Sequence, residues 1–311
     1  MRKNPDVALI TGASGYLGQA LGHALKTVKP KIKTIGLARR SFSGFDVCLR
    51  GDMSDAAWLN DVLKKYQPDL IFHMAAHIHG GTWDDFFEVN VELTTNLLET
   101  VKSACAYSRV VVSGSAAEYG RVEIDALPIT ELNPFNPISP YGLSKVFQNQ
   151  IALYFSSIIG LDIVIPRTFN LIGPGIPPYL VVGSFEQQLQ NIRDGRAPPI
   201  VKAGNLQTTR DFVDVSDAAT GILATAFHGE RGQAYNICTN NPVSIGRILS
   251  LMASKAGVNI KIEEDMHEAS RANLPQSYGS YEKLNTASGW RPTISIEQSV
   301  DRIFNSCGTR A

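Results

Sequence analysis

Val7-Ala-Leu-Ile-Thr-Gly-Ala-Ser-Gly-Tyr-Leu-Gly18 is the stretch that decides the fold. A short apolar run ending in a glycine turn reads as a buried parallel strand. Gly12, Gly15 and Gly18 fall at the junction of that strand with the helix predicted over Tyr16 to Val28. Glycines there permit a tight turn, close approach of backbone to a pyrophosphate, and close packing of helix on strand. The helix N-terminus adds free amides and a positive dipole end for the anion. Gly12, Ser14, Gly15, Tyr16, Leu17 and Gly18 are therefore candidate dinucleotide-binding residues.

Working outward, strands alternate with helices. Strands are predicted at Lys33 to Ala38, Asp69 to Ala75, Arg109 to Ser113 and Asp162 to Pro166. Helices are predicted at Trp58 to Tyr66, Asn90 to Ala106 and Pro140 to Ile159, the last with Pro140 at its start. That rhythm implies βαβ units, an α/β Rossmann fold with a doubly wound parallel sheet. It breaks after Pro166, at Gly173-Pro-Gly-Ile-Pro-Pro178 and Arg196-Ala-Pro-Pro199. Beyond lie a strand entering the helix Ala218 to Phe227, and amphipathic helices at Ser244 to Ala256 and Ile294 to Phe304. The expected organisation is a cofactor domain, 1–168 plus about 209–237, and a smaller α/β substrate domain, 169–208 and 238–311.

The end of the second strand, Leu37-Ala-Arg-Arg40, selects the cofactor. A carboxylate there would hold a ribose 2′-hydroxyl; Arg39 and Arg40 suit a 2′-phosphate, so NADP(H) is favoured over NAD(H). Tyr141-Gly-Leu-Ser-Lys145 supplies the chemistry. The two side chains lie one turn apart on a helix face, and an ammonium beside a phenol would lower the phenol pKa from about 10 and permit proton exchange with a sugar or alcohol oxygen. Lys plus Arg equals Asp plus Glu at 29 each, which argues against a nucleic-acid binder. Cys48, Cys105, Cys238 and Cys307 are scattered without metal spacing, so no metal and no disulfide are expected. Arg2 and Lys3 lead no apolar signal core, and Ile151 to Ile165 is broken by Ser156, Ser157, Gly160 and Asp162, so a cytoplasmic protein without a membrane span is expected.

Taken together, the chain resembles the extended short-chain dehydrogenases/reductases (the NAD-dependent epimerase/dehydratase family) that act on nucleotide-diphosphate sugars. The motifs that carry this are Thr11 to Gly18, Gly51-Asp-Met53, His73-Met-Ala-Ala76, Asn90 with Thr94 to Glu99, Ser113 to Gly120, Tyr141 to Lys145, Pro166-Arg-Thr-Phe-Asn170 and Arg210-Asp211. The resemblance implies a catalytic set of Ser115, Tyr141 and Lys145. It places Asp52 with Met53 by the adenine, Ala75, Ala76 and Ser113 along the cofactor, and Asn90 in support of the strand ends. His73 is implied to be structural, and a homodimer through the helix bearing Tyr141 is implied. Glu118 receives no role, an apolar residue being usual there.

Within the family, a dehydratase is similar in pattern but needs an acid at the position of Ala117, and GDP-fucose synthases have a cysteine there. Ala116 and Ala117 leave hydride transfer alone, and the pattern is most similar to that of GDP-4-keto-6-deoxymannose reductases, which make GDP-rhamnose. Leu171, Ile176 and Ala117 depart from it. Expected activity is therefore NADPH-dependent reduction of a 4-keto-6-deoxy sugar nucleotide. The alternatives are a nucleotide-sugar 4-epimerase with tightly held NAD and a non-catalytic cofactor-binding regulator. Asn170, Lys202, Arg210 and Arg271 are candidates for the substrate diphosphate, with His77 and His79 flanking the cleft.

Overall fold

The computed structural model describes residues 5–264 and 274–306. In chain order the strands are β1 Val7–Thr11, β2 Lys33–Ala38, β3 Val47–Arg50, β4 Leu70–His73, β5 Arg109–Val112, β6 Gly114–Ser115, β7 Asp162–Thr168 and β8 Asn170–Ile172. They continue with β9 Ile200–Ala203, β10 Thr209–Asp214, β11 Ala234–Ile237, β12 Pro242–Ser244, β13 Lys261–Glu264 and β14 Gln276–Ser277. Helices are α1 Tyr16–Val28, α2 Ala56–Tyr66, α3 Trp83–Phe87, α4 Leu93–Ala104, α5 Pro140–Tyr154, α6 Val181–Arg193, α7 Val215–His228 and α8 Ile245–Ala256, with two more at Glu282–Ser288 and Ile296–Ser306.

The main sheet is parallel, in the order β11-β7-β5-β4-β1-β2-β3, with β6 continuing beside the end of β7. Strand order reverses between β1 and β4, which opens a crevice at the carboxyl ends of the strands. The period of two sorts side chains onto opposite faces. Ala8 and Ile10 pack with Leu21 and Leu25 of α1 and Ile222 of α7. Leu9 faces the other way, with Leu59 of α2, Leu97 of α4 and Phe155 after α5. Both faces are covered, as a parallel sheet requires.

The second unit has its own core, Ile172, Phe185, Leu189, Ile248, Met252 and Ile303 among others. It is built on a small sheet, β12-β10-β14 with β8 beside β10, and a β9–β13 pair. The segment 209–237, expected in the cofactor domain, divides. β10 pairs with β8, β12 and β14 in the small sheet, whereas α7 packs on α1 and β11 closes the edge of the main sheet. Helix α6 lies after Pro166, in a stretch where no helix is predicted. Two long predicted helices are interrupted by wide π turns, Glu88–Glu92 before α4 and Phe155–Ile159 after α5.

Asp211 of β10 locks these pieces together. It is fully buried and accepts from Thr239 N (2.8 Å), Thr239 Oγ1 (2.7 Å), Asn240 N (2.9 Å) and Gly279 N (3.3 Å). Asp211→Ala leaves four donors unpaired and is expected to cost about 3 kcal/mol, read as a lowered urea midpoint at unchanged m-value.

Candidate functional site

A cleft of about 520 Å³ lies between the carboxyl ends of the main sheet and the second unit. Its lining includes Gly12, Gly15, Tyr16, Leu17 and Gly18 of the glycine turn, Ser113, Ser115, Tyr141 and Lys145, and Asn170, Tyr179 and Arg210. Two glycines are demanded by geometry. Gly12 has φ +65° and a Cβ there would sit 2.7 Å from Ala75 N, while a Cβ on Gly18 would sit 2.3 Å from Gly12 O. Gly15 caps α1 without a side chain, so the amides of the first turn point into an open cradle. A cradle that excludes Cβ atoms and ends in free amides fits a dinucleotide pyrophosphate. Ser14 is exposed and lies outside the cleft lining. Tyr16 turns its ring toward the second core, and its buried hydroxyl has no partner among the described residues.

Helix α5 starts where it does because Ser139 accepts the Gly142 amide (3.0 Å) and Pro140 fills the first turn. Tyr141 thus falls in the first turn and Lys145 one turn deeper. Ser115 ends β6 and caps a single turn, its Oγ accepting the Ala117 amide at 3.2 Å. Its hydroxyl lies close enough to the Tyr141 hydroxyl to favour the charged form of that phenol.

Lys145 is held by a buried chain of hydrogen bonds. Its ammonium donates to Ser113 O and Gln148 Oε1. Gln148 Nε2 donates to Thr94 Oγ1 (2.7 Å), and Thr94 donates to Asn90 O (2.8 Å). Thr94 Oγ1 has spent its proton, so His73 Nε2 must donate to it at 2.8 Å. His73 Nδ1 then accepts from Thr11 Oγ1 at 2.9 Å, and Thr11 Oγ1 accepts the Ala75 amide at 3.2 Å. One tautomer of a neutral imidazole satisfies every bond, and burial pushes its pKa down to about 3. Asn90 accepts from His77 N (2.8 Å) and donates to His77 O and to Ser144 Oγ (both 2.9 Å), fixing the loop after β4 to α5.

One expectation is corrected. Burial, not Lys145, sets the direction of the Tyr141 pKa, and the Lys145 ammonium is turned to Ser113 and Gln148. Burial pushes the Tyr141 hydroxyl up to about 12, opposed by the Ser115 hydrogen bond. Burial pushes Lys145 down to about 8, against the attraction of Glu118.

Arg39 and Arg40 are exposed at the end of β2, and Arg50 Nε donates to Arg39 O at 3.1 Å. Asp52 is exposed beside them; the Ser54 amide and hydroxyl, and then Arg39, hold its carboxyl below the usual range. Met53 is buried, and its carbonyl accepts from Asn96. Ala76 lines the cleft, while Ala75 sits behind it against Gly12. Asn170 lines the cleft and donates to Asp211 O at 3.0 Å. Arg210 lines it too, with Nη1 donating to Thr209 O (2.8 Å) and Leu274 O (2.9 Å). Lys202 is exposed on β9, in the β9–β13 pair, and is not among the residues lining the cleft. Arg271 lies outside the described residues. His79 stacks on Tyr179 at 5.7 Å, and His77 Nε2 meets Gly80 O at 2.7 Å.

Several cleft residues escaped sequence reasoning. Tyr179, Leu180 and Val181 arrive on the approach to α6, whose Val182, Phe185 and Leu189 recur at helical spacing and could have revealed it. Among the described lining residues there is no aspartate, glutamate, cysteine or histidine. Glu118, the carboxylate next in sequence to Ala117, is fully buried beneath the Ser115 turn and paired with Arg167 at 2.9 Å.

Residues 8–238 match the NAD dependent epimerase/dehydratase family. The chain belongs to that family. It is 28% identical over 305 residues to GDP-6-deoxy-D-mannose reductase of Pseudomonas aeruginosa, covering 97% of each chain. It is 26% identical over 307 residues to UDP-glucose 4-epimerase of Mycolicibacterium smegmatis, covering 94% of this chain and 95% of the other. Among solved structures, RMD from Pseudomonas aeruginosa complexed with NADPH superposes with a TM-score of 0.86 at 28% identity, covering 98% of this chain and 100% of that one. Family membership together with the glycine cradle makes this protein a nicotinamide-dependent enzyme of the oxidoreductase type. No helix among the described residues is long and apolar enough to cross a membrane.

His73 carries a consequence for stability. Its folded pKa of about 3 lies below the ordinary 6.5, so between those values the unfolded chain binds a proton that the native state refuses. Stability is fully present above pH 6.5 and is lost as pH falls. Relative to His73→Asn, the wild type should lose up to about 1.4 kcal/mol per pH unit below 6.5, measured by urea unfolding at a series of pH values. Equal slopes for the two proteins would contradict a neutral buried imidazole.

Proposed function

We propose that the protein reduces the 4-keto group of a nucleotide-diphosphate 4-keto-6-deoxy sugar with NADPH, GDP-4-keto-6-deoxymannose being the first substrate to test. One observation carries this: no described residue lining the cleft brings a carboxylate or thiol to the Ser115–Tyr141 hydroxyl pair. Elimination of water or epimerisation beside the ketone needs such a group to move a carbon-bound proton. Carbonyl reduction needs only hydride and an oxygen-directed acid. The relationship to GDP-6-deoxy-D-mannose reductase, over nearly the full length of both chains, points the same way.

When bound, the reduced nicotinamide supplies hydride to the carbonyl carbon. Tyr141, neutral at physiological pH, gives its proton to the oxygen as charge develops. Ser115, anchored by the Ala117 amide, directs its single proton to the same oxygen. Lys145 spends two of its three N–H groups on Ser113 and Gln148 and keeps one for a cofactor ribose hydroxyl. Arg210 commits Nη1 to two carbonyls, which leaves its Nε and Nη2 edge for a diphosphate oxygen, with Asn170 beside it. Arg39 and Arg40 meet the adenosine 2′-phosphate, which selects NADPH. A homodimer through α5 accounts for Phe147, Tyr154 and Ile158, which stand exposed at helical spacing on the side of α5 and its extension away from the core.

Oxidation of NADPH at 340 nm, with GDP-, dTDP-, UDP- and CDP-linked 4-keto-6-deoxy sugars, is the direct test. Turnover of none of them, with interconversion of UDP-hexoses and no net oxidation, would establish a 4-epimerase instead. Tyr141→Phe is expected to lower kcat by about 10²-fold or more while NADPH still quenches intrinsic fluorescence. Arg39→Ala with Arg40→Ala should raise KM for NADPH by about tenfold or more and leave KM for NADH within about twofold. Equal effects on both cofactors would place the 2′-phosphate elsewhere.

A further inference from the structure

Glu118 is the last residue of the single turn that Ser115 caps, and it is fully buried. Its Oε1 accepts the Ser115 amide at 2.6 Å. Its Oε2 accepts from Asn149 Nδ2 at 3.0 Å and from Arg167 Nε at 2.9 Å. Arg167 is fixed in turn. Its Nη1 donates to the Tyr119 hydroxyl (2.9 Å), and its guanidinium lies 5.1 Å from the ring centroid of Tyr119 and 4.7 Å from that of Phe135. The Tyr119 hydroxyl donates to Asn236 at 2.7 Å. One carboxylate therefore joins the end of β6, the middle of α5 and β7.

Such a group is costly. Burial raises the carboxyl pKa, and the Arg167 ion pair and the Ser115 amide pull it back toward the charged form. A buried ion pair often adds no stability over an apolar pair of equal volume, so its placement calls for another use. Two of its bonds are not required by ion pairing, the 3.0 Å bond from Asn149 and the 2.6 Å contact to Ser115. That contact and the Ala117 amide grip Ser115 from both sides, through its backbone nitrogen and its hydroxyl oxygen. The remaining freedom of the hydroxyl is rotation of one proton, with the Tyr141 hydroxyl close by.

We infer that Glu118 is a positioning residue for the reaction: held by Arg167 and Asn149, its carboxylate fixes the Ser115 backbone and so sets the Ser115 hydroxyl against Tyr141. This rests on Ser115 and Tyr141 being the oxygen-directed pair proposed above. The same negative charge raises the pKa of Tyr141 and of Lys145. The other charged or titratable groups facing the carboxylate are Arg167 from β7, Lys145 from α5 and Tyr119 from the turn, with Glu131 beyond Tyr119.

Glu118→Gln keeps an oxygen for the Ser115 amide but loses the charge; Glu118→Leu loses both. In cofactor-free, isotope-labelled protein, the Ser115 amide proton should move upfield slightly in Glu118→Gln and strongly in Glu118→Leu. The Tyr141 phenol, followed by its ring-carbon resonance and assigned with Tyr141→Phe, should titrate at lower pH in both. Turnover of the keto sugar should fall about tenfold in Glu118→Gln and about a hundredfold in Glu118→Leu, with KM and NADPH affinity within about threefold. If Glu118→Leu does not fold, Glu118→Gln decides through the same signals. Unmoved Ser115 and Tyr141 resonances overturn the inference. So does a lowered melting temperature with kcat unchanged, which is what a purely structural ion pair would give. Absence of turnover in the wild type with every keto sugar would instead sink the proposed reaction, and the two resonances would still decide whether Glu118 sets the geometry of the pair.

Discussion

The site depends on one buried run of hydrogen bonds, from Thr11 through His73, Thr94 and Gln148 to Lys145. It joins the strand that ends in the glycine turn, the strand beyond the switch point, and the two helices α4 and α5. Every donor in it has one acceptor, and the order of protons is forced once Thr94 donates to Asn90. A partly satisfied buried network is worse than an apolar one. The cradle for the pyrophosphate and the ammonium beside the reacting centre are thus set at a fixed separation by the same bonds. His73 is the member that can fail, because a second proton on its ring would turn an acceptor into a donor against the Thr11 hydroxyl.

Burial also explains why Tyr141 and Lys145 behave differently from a pair drawn on a helical wheel. Spacing alone suggests that the ammonium lowers the phenol pKa. Desolvation disfavours the charged form of each group, so it moves tyrosine up and lysine down. With the ammonium turned to Ser113 and Gln148, desolvation wins at Tyr141. The phenol therefore keeps its proton at neutral pH.

Much of the main sheet was legible because its signals are local. Val7 to Gly18 contains a strand, a turn and a helix start within twelve residues, and the helix Tyr16–Val28 and the strand Lys33–Ala38 run between the limits their patterns predict. Ser115, Tyr141 and Lys145, named from a motif, do converge on one cleft with Gly12 and Gly18. What escaped is non-local. β8 and β10 are joined by pairing between residues some forty positions apart, such as Asn170 with Phe212, and nothing in either stretch announces the other. Lys202 looked like an anion ligand by charge alone, and its strand turned out to be an exposed edge. Glu118 could not be placed, because its partner Arg167 is 49 positions away.

Family members share this fold while their names span reductases and epimerases, so the reaction must be set by a few side chains at the same strand ends. The turn Ser115-Ala-Ala-Glu118 is one such place at the end of β6. Ala116 and Ala117 line the cleft, and Glu118, one position on, points beneath it. The difference between a carboxylate that could take a proton from a sugar carbon and one that cannot is therefore one residue of register in a three-residue turn. That register is held by the Ala117 amide on Ser115 and by three bonds to the Glu118 carboxylate. Charged hydrogen bonds of this kind are worth about 1.5–3 kcal/mol each, so turning the carboxylate into the cleft would cost several times thermal energy. The acid is present in the sequence but lies beneath the cleft, and the turn presents Ser115 and two alanines to the cleft.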